Sequence, residues 1–411
     1  MRDTILEQGP GTAGGLASGA SVRVATADVL WTRPFALLLS AGSAFGFAFS
    51  SFHLLPKYLA LELGAGPAEI GWVAGVFGAA SVAATVAVGS CIDHVSRRAL
   101  FVGSALLLAL SSLGFTYVTE VGFLLYALRV VQGIAFTMQM ASYSTLIADM
   151  APTSRLGEAV GLAGSSMLIM NAIAPAIDEP LAEAAGWPSV FALAVVASLV
   201  AAVLAGCADG RTPVQEGRRG TLMQVARRAQ SRLYMSVVFL IAVAFAAMFT
   251  FLQPLALAEG YRDVSSFFVA YASAAVAVRL FCGWLPDRFG RKRVALLALT
   301  LYVAIVAYVA LFGATSLIGI GAVFGLAHGV FFPSLNALAI EYSLPSERGR
   351  LMTLFAGAFN LGAWGGAAAL GVLAEASGYG AVFAAGALAS AMALWMLLQS
   401  SAMGRARLRL V

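Results

Sequence analysis

Arg129, Gln132, Phe136, Gln139 and Tyr143 recur at i, i+3, i+7, i+10 and i+14, the spacing of one face of an α-helix. The rest of that segment is apolar, so a guanidinium, two carboxamides, a phenol and a phenyl ring make a stripe suited to lining water or a polar ligand. An arginine within a hydrocarbon-spanning helix costs about 2.5–3.5 kcal/mol on insertion scales, so it faces a cavity or a partner. Arg129 is therefore either a ligand-facing cation or a structural tie between helices. His328, Phe332 and Asn336 share a second face at i, i+4 and i+8. Histidine is the side chain that titrates near neutrality unaided. For His328, a place in a cavity and a place as a satisfied core residue are both open. Phe49 and His53 in one segment are echoed by Phe249 and Gln253 in another, and such rings serve as an apolar cavity wall or as plain packing.

A different chemistry is written in Gly89-Ser-Cys-Ile-Asp93-His-Val-Ser-Arg97-Arg98. It recurs as Gly283-Trp-Leu-Pro-Asp287-Arg288-Phe-Gly290-Arg291-Lys292, each residue 194 positions on. Glycine lets two helices approach closely. A carboxylate at a helix end accepts charge-assisted hydrogen bonds, and the cations that follow pair with it or with lipid phosphate. Such a cluster makes a latch; the bland alternative is that its arginines only enforce topology. Pro152-x-x-Arg155 and Pro345-x-x-Arg348 repeat at nearly the same shift. An internal repeat of this period means that the chain is two copies of one unit.

These residues sit on an unusual frame. Hydrophobic residues make up 60% of the 411 and charged residues 11%, with a mean hydropathy of +0.88. Soluble proteins carry roughly 25% charged residues. A membrane helix needs about 20 apolar residues, and apolar runs place spans at 34–60, 69–90, 99–118, 122–150, 159–182 and 188–208. Six more follow at 232–258, 264–285, 294–313, 315–340, 352–374 and 379–401. Twenty-one of the 25 Lys and Arg residues fall in seven short stretches between these runs, leaving Lys57, Arg129, Arg262 and Arg279 elsewhere. Cationic loops stay on the cytoplasmic side, which predicts an even number of spans with both ends inside. The expected organisation is a flexible cytoplasmic tail at 1–33, a six-helix bundle at 34–208, a cytoplasmic linker at 209–231, a second bundle at 232–401 and a tail at 402–411. The first 33 residues lack the apolar run and cleavage site of a signal peptide. A pI near 9.3 reflects these loops; their expected neighbours are anionic membrane lipids, not nucleic acid. Cys91, Cys207 and Cys282 form no CxxC pair, so neither a disulfide framework nor a metal site is expected.

The repeated G-x-x-x-D-x-x-x-R-[RK] element resembles the loop signature of the major facilitator superfamily, and the likeness covers about residues 34–401. The second copy is close to the family form; the first has His94 and Ser96 where Arg and Gly are usual. The resemblance implies an all-α membrane protein of twelve helices in two pseudo-symmetric bundles. It also implies a substrate site between them near the midplane, reached by alternating access. Arg129-Val-Val-Gln132-Gly133 resembles the R-x-x-Q-G signature of the drug:proton antiporter branch. The fifth span resembles that branch's glycine pattern and departs from it. Gly161 and Pro175 stand in place, Pro175 implying a kink, but Met170 and Ala174 replace glycines and Asp178-Glu179 replaces a closing glycine pair.

By this reading no Asp or Glu lies in the middle of a span, the acids falling in tails, loops and helix ends. Asp178 and Glu179 form either a proton-entry pair or a solvated helix end with Glu183. Arg279, one turn inside the eighth span, and Arg129 favour an anionic or zwitterionic solute. The leading expectation is a non-enzymatic, proton-coupled transporter of the bacterial inner membrane that exports a drug or metabolite. Uptake of an organic anion such as a monocarboxylate is its rival, and a transporter-like sensor or scaffold is the alternative of another class. No cofactor is called for, no nucleotide-binding G-x-x-x-x-G-K-[ST] loop is present, and a monomer is the default. The expected cavity residues are Arg129, Gln132, Phe136, Gln139, His53, Phe49, Phe249, Gln253, His328, Phe332 and Asn336. Gly89, Asp93, Arg97, Arg98, Gly283, Asp287, Arg288, Gly290 and Arg291 form the expected cytoplasmic gate.

Overall fold

The computed structural model describes residues 29–91, 95–208, 222–341 and 347–408, and among them every regular element is a helix. Twelve of these helices are long and apolar enough to cross a membrane. We number them α1 (Arg33–Glu62), α2 (Pro67–Cys91), α3 (Arg97–Phe115), α4 (Phe123–Met150), α5 (Leu156–Ala185), α6 (Trp187–Cys207), α7 (Ala229–Ala258), α8 (Ser265–Cys282), α9 (Arg291–Phe312), α10 (Leu317–Glu341), α11 (Arg350–Ser377) and α12 (Tyr379–Ser400). The twelve expected spans are present, with ends displaced by a few residues.

Local chemistry sets the ends. Thr32 caps α1 by accepting from the Phe35 N–H, and Ser96 caps α3 by accepting from the Ala99 N–H. Gly186 and Gly378 take φ of 78° and 80°. That left-handed backbone suits glycine and lets α5 turn straight into α6, and α11 into α12.

Three spans read as continuous are interrupted. The ladder of α1 gives way to a 3-10 turn over Ser51–Leu54, and that of α7 to a π turn over Ala247–Phe251. Pro56 and Pro254 lie just beyond. Proline has no N–H and clashes with the carbonyl four residues back, so both helices readjust one turn earlier. A π turn also interrupts α11 at Leu361–Gly365. Within α5, Pro175 and Pro180 both lie in the helix, which runs on through them.

Packing repeats between the two sets of six. In the first, α4 packs on α2 and α3, and α6 on α1 and α3. In the second, α10 packs on α8 and α9, and α12 on α7 and α9. The sets meet where α2 packs on α11 and α5 on α8. At the α2–α11 crossing the backbones nearly touch: a Cβ added to Gly71 would lie 2.6 Å from the Ala367 carbonyl and 2.9 Å from Gly371 Cα. Of the expected linker and tails, residues 1–28, 209–221 and 409–411 lie outside the described residues, and Leu222–Ala226 is a short helix.

Candidate functional site

Between the two sets of helices lies a cavity of about 180 Å³. Its wall draws on α1, α2, α4, α7 and α11. Arg129 supplies its permanent charge, and among the described residues no Asp or Glu lines it. Arg129 is buried, at 5% exposure. Its Nη1 donates to Gln132 Oε1 at 2.7 Å and its Nε donates to the Val73 carbonyl at 3.3 Å. The guanidinium carbon lies 4.5 Å from the centroid of the Phe77 ring. All three partners are neutral. Helix α4 reaches α2 closely enough for this because Gly133 has no side chain; a Cβ there would meet the Ala80 Cβ at 3.0 Å.

The rest of the wall is mostly apolar, with aromatic rings set among aliphatic side chains such as Leu55, Leu59, Ile70 and Val73. Phe49 stacks on Phe136 at 4.7 Å and Phe245 on Phe249 at 4.0 Å, while Trp364 sits edge-on to Phe77 at 4.7 Å. His53 packs against Phe49, Phe249 and Phe268. Its Nδ1 lies 3.0 Å from the Ser50 carbonyl. A carbonyl only accepts, which assigns the proton to Nδ1. The cavity is thus one cation in an apolar, ring-lined chamber, with Thr250 and Asn360 as neutral polar groups.

Of the expected cavity residues, the structure brings Phe49, His53, Arg129, Phe136 and Phe249 to this wall; the others stand behind it. Gln132 holds Arg129 from behind. Gln139 is fully buried with neither end of its amide hydrogen-bonded, and the Tyr143 hydroxyl lacks a partner too. The lower part of the α4 stripe therefore does not line the cavity. Gly42 is the reason: without a side chain on α1, the Tyr143 ring lies against its Cα. His328 is enclosed by rings that include Phe245, Phe324 and Phe332, its Nδ1 unpartnered. Phe332 and Asn336 are half-buried beside it on α10. Gln253 donates from Nε2 to the His53 carbonyl at 2.7 Å, tying α7 to α1. Wall positions on α11, such as Phe359 and Trp364, had no sequence motif to mark them.

At the arginine-rich end, Arg97 pairs with Asp149 at the end of α4. Arg291 pairs with Glu341 at the end of α10, 3.3 Å away, and lies 3.5 Å from the exposed Asp287. The two copies of the repeated element thus make the same contact in each set. Arg288 lies over the Trp284 and Phe289 rings at 5.5 and 5.8 Å. Gly89 is on α2, Gly283 follows α8, and Gly290 takes φ 92°. Arg98 is half-buried and Arg279 is half-buried with its Nε unpartnered. Asp93 lies outside the described residues.

The opposite end corrects one expectation. Asp178 and Glu179 are not a solvated helix end: their exposures are 0% and 3%, and α5 continues past them to Ala185. Seven further residues at 1.5 Å each put them roughly 10 Å inside the helix end. Glu179 pairs with Lys57, itself 5% exposed, and Glu183 lies 3.8 Å from the same ammonium. Glu179 also accepts from the Val264 and Ser265 N–H groups at 3.0 and 2.6 Å, and Lys57 donates to the Arg262 carbonyl at 2.6 Å. Ala68 N–H donates to Glu375 at 3.2 Å. All of these, except the Lys57 pairs themselves, join the first set of helices to the second.

The sequence model of the Major Facilitator Superfamily matches residues 36–267 and 235–407. The chain belongs to the Major Facilitator Superfamily. It is a transporter and not an enzyme. It is 33% identical over 137 residues to "Probable anion transporter 5" of Arabidopsis thaliana, covering 33% of this chain and 30% of that protein. It is 28% identical over 177 residues to an uncharacterised MFS-type transporter of Methanocaldococcus jannaschii, covering 43% of each. The matched part is thus less than half the length of either relative. Similar solved structures include the nucleoside transporter NupG (TM-score 0.77, 14% identity, 90% of this chain and 99% of that one). A POT family transporter in complex with a thioalcohol-conjugated peptide gives 0.76 at 11% identity, over 91% and 96%. The human organic anion transporter MFSD10 gives 0.67 at 14%, over 89% and 99%. At these identities the likeness shows a common fold alone.

Proposed function

We propose that this protein is a proton-coupled secondary transporter of a small organic anion carrying an aromatic or apolar body. The observation that carries this reading is Arg129: a buried guanidinium on the wall of the cavity, with only neutral partners and no carboxylate beside it. A buried charge without a counter-ion is costly, and a buried pair with good geometry recovers that cost. An anionic ligand supplies the missing charge, and the rings around it cover its body. Bundles at 34–208 and 232–401 rock about the ligand. The arginine-rich end faces the cytoplasm of a bacterial inner membrane, with both termini there. Arg97–Asp149 and Arg291–Glu341 anchor that end, and Asp287 joins the latch beside Arg291. The chain works as a monomer in contact with anionic lipid.

Export of a drug or metabolite is the second reading, favoured by the Arg129–Gln132 hydrogen bond, which pairs the polar residues of the R-x-x-Q-G element. Proteoliposomes separate the two. With the lumen alkaline, labelled benzoate accumulates faster and further than the permeant free acid does in protein-free liposomes if the first reading holds. No uptake of benzoate or any other aromatic carboxylate beyond that level, together with a proton leak triggered by lipophilic cations, would replace it with the second.

A further inference from the structure

Two neighbouring carboxylates on α5 have opposite surroundings. Glu179 has a counter-ion in Lys57 and accepts two backbone N–H groups from the start of α8. Asp178, the adjacent residue, is 0% exposed, and neither carboxylate oxygen has a hydrogen-bond partner. The Ser51 hydroxyl is beside it but donates to the Phe47 carbonyl at 3.2 Å. Stripping an ionised carboxylate of water and partners is costly, whereas the neutral acid loses far less. The other ionisable groups on the elements packed around α5 at this end are His53, Lys57, Tyr58 and Glu62 on α1, Arg262 and Asp263 before α8, and Glu183 on α5 itself. Lys57 is the cation drawn into the interior, and Glu179 holds it.

We infer that Asp178 is the proton-binding site of the transport cycle, and that the Lys57–Glu179 pair is the ionised latch that seals it from water at the end opposite the arginine loops. The inference rests on the proposed function and divides the labour between two residues of one candidate pair. When the latch parts, water reaches Asp178, whose carboxylate exchanges its proton there. Charge balance then sets the coupling. With Lys57 cancelling Glu179, the empty carrier is neutral only once Asp178 has given up its proton at the opened end, leaving Arg129 as a cation and Asp178 as an anion. Bound to one monovalent anion and one proton, it is neutral again. Loaded with either alone, it carries a net charge into a low-dielectric interior, which slows its reorientation. Proton and anion therefore move together, in the same direction.

The test has a readout that does not depend on transport. Infrared spectra of the full-length protein in proteoliposomes at pH 7 should show the C=O stretch of a protonated carboxylic acid. That band should be present in wild type and in Glu179→Gln and absent in Asp178→Asn. Its absence from wild type, or its persistence in Asp178→Asn, overturns the inference. In parallel, Asp178→Asn vesicles should exchange labelled benzoate at equilibrium yet lose the accumulation against an alkaline lumen that exceeds the protein-free level. Accumulation at the wild-type level in that variant also overturns it. If wild type moves no benzoate, the proposed function fails, and the infrared arm alone decides the role of Asp178.

Discussion

Replacing Lys57 with methionine keeps the aliphatic stem and removes the ammonium, so it isolates the latch. The ammonium donates to the Arg262 carbonyl across the two sets of helices at 2.6 Å. It is also the counter-ion of Glu179, whose own exposure is 3%. Hydrogen bonds to charged groups contribute about 1.5–3 kcal/mol. Stranding one member of a buried pair costs about 3–5 kcal/mol. Opening this end hydrates Glu179 and relieves that cost, so the variant shifts the equilibrium towards the open form by about 3–5 kcal/mol, or two to four powers of ten. Leu61 and Tyr261 are exposed, flank the latch and lie in opposite sets. Spin labels there, read by double electron–electron resonance, should give one short distance in wild type and a longer one in Lys57→Met. The double variant Lys57→Met with Glu179→Leu leaves no buried charge in the latch pair and should sit closer to wild type than the single one. An unchanged distance in Lys57→Met refutes the latch, and a double variant more open than the single refutes the charge argument.

Glycine contacts give three further expectations. Gly71→Val forces a side chain into Ala367 and Gly371 of α11, at a cost of about 1–3 kcal/mol; the same pair of labels should report a wider separation. Gly133→Ala crowds the Phe77 carbonyl and Ala80 within one set, so its thermal midpoint should fall while the label distance stays put. By contrast, a Cβ at Gly161 meets nothing within 4 Å, and alanine is a better helix former by about 1 kcal/mol. Gly161→Ala should therefore hold or raise the midpoint.

What the sequence revealed, and what it hid, follows from the range of each signal. The spans were legible because hydrocarbon thickness imposes a local apolar run of fixed length. The Asp149 and Glu341 partners of Arg97 and Arg291 were visible as helix-end acids, but pairing them required the packing of α3 on α4 and of α9 on α10. In the sequence Asp178 stays open between a proton-entry residue and a solvated helix end because Asp178-Glu179 breaks the apolar run of α5 after Ile177, while the helix itself continues to Ala185. Lys57 passed as a stray cation because its partner is 122 residues away, a distance at which no periodicity operates. The α4 stripe was correct as a helical face and incorrect as a cavity lining below Phe136, since it takes Gly42 on another helix to admit Tyr143. Pro56 and Pro254 did carry a local signal for the breaks in α1 and α7.

The measurement closest to the central claim is equilibrium binding to purified, full-length protein, comparing benzoate, benzamide and benzylamine on wild type and on Arg129→Gln. The three share one ring and differ in charge, so they isolate what the guanidinium contributes. Truncating one partner of a buried charged pair costs about 2–5 kcal/mol. Wild type should prefer benzoate over both analogues, and Arg129→Gln should weaken benzoate by roughly 30-fold or more while changing benzamide little. Equal affinity for benzoate in the two proteins, or a wild-type preference for benzylamine, would contradict an anion site at Arg129.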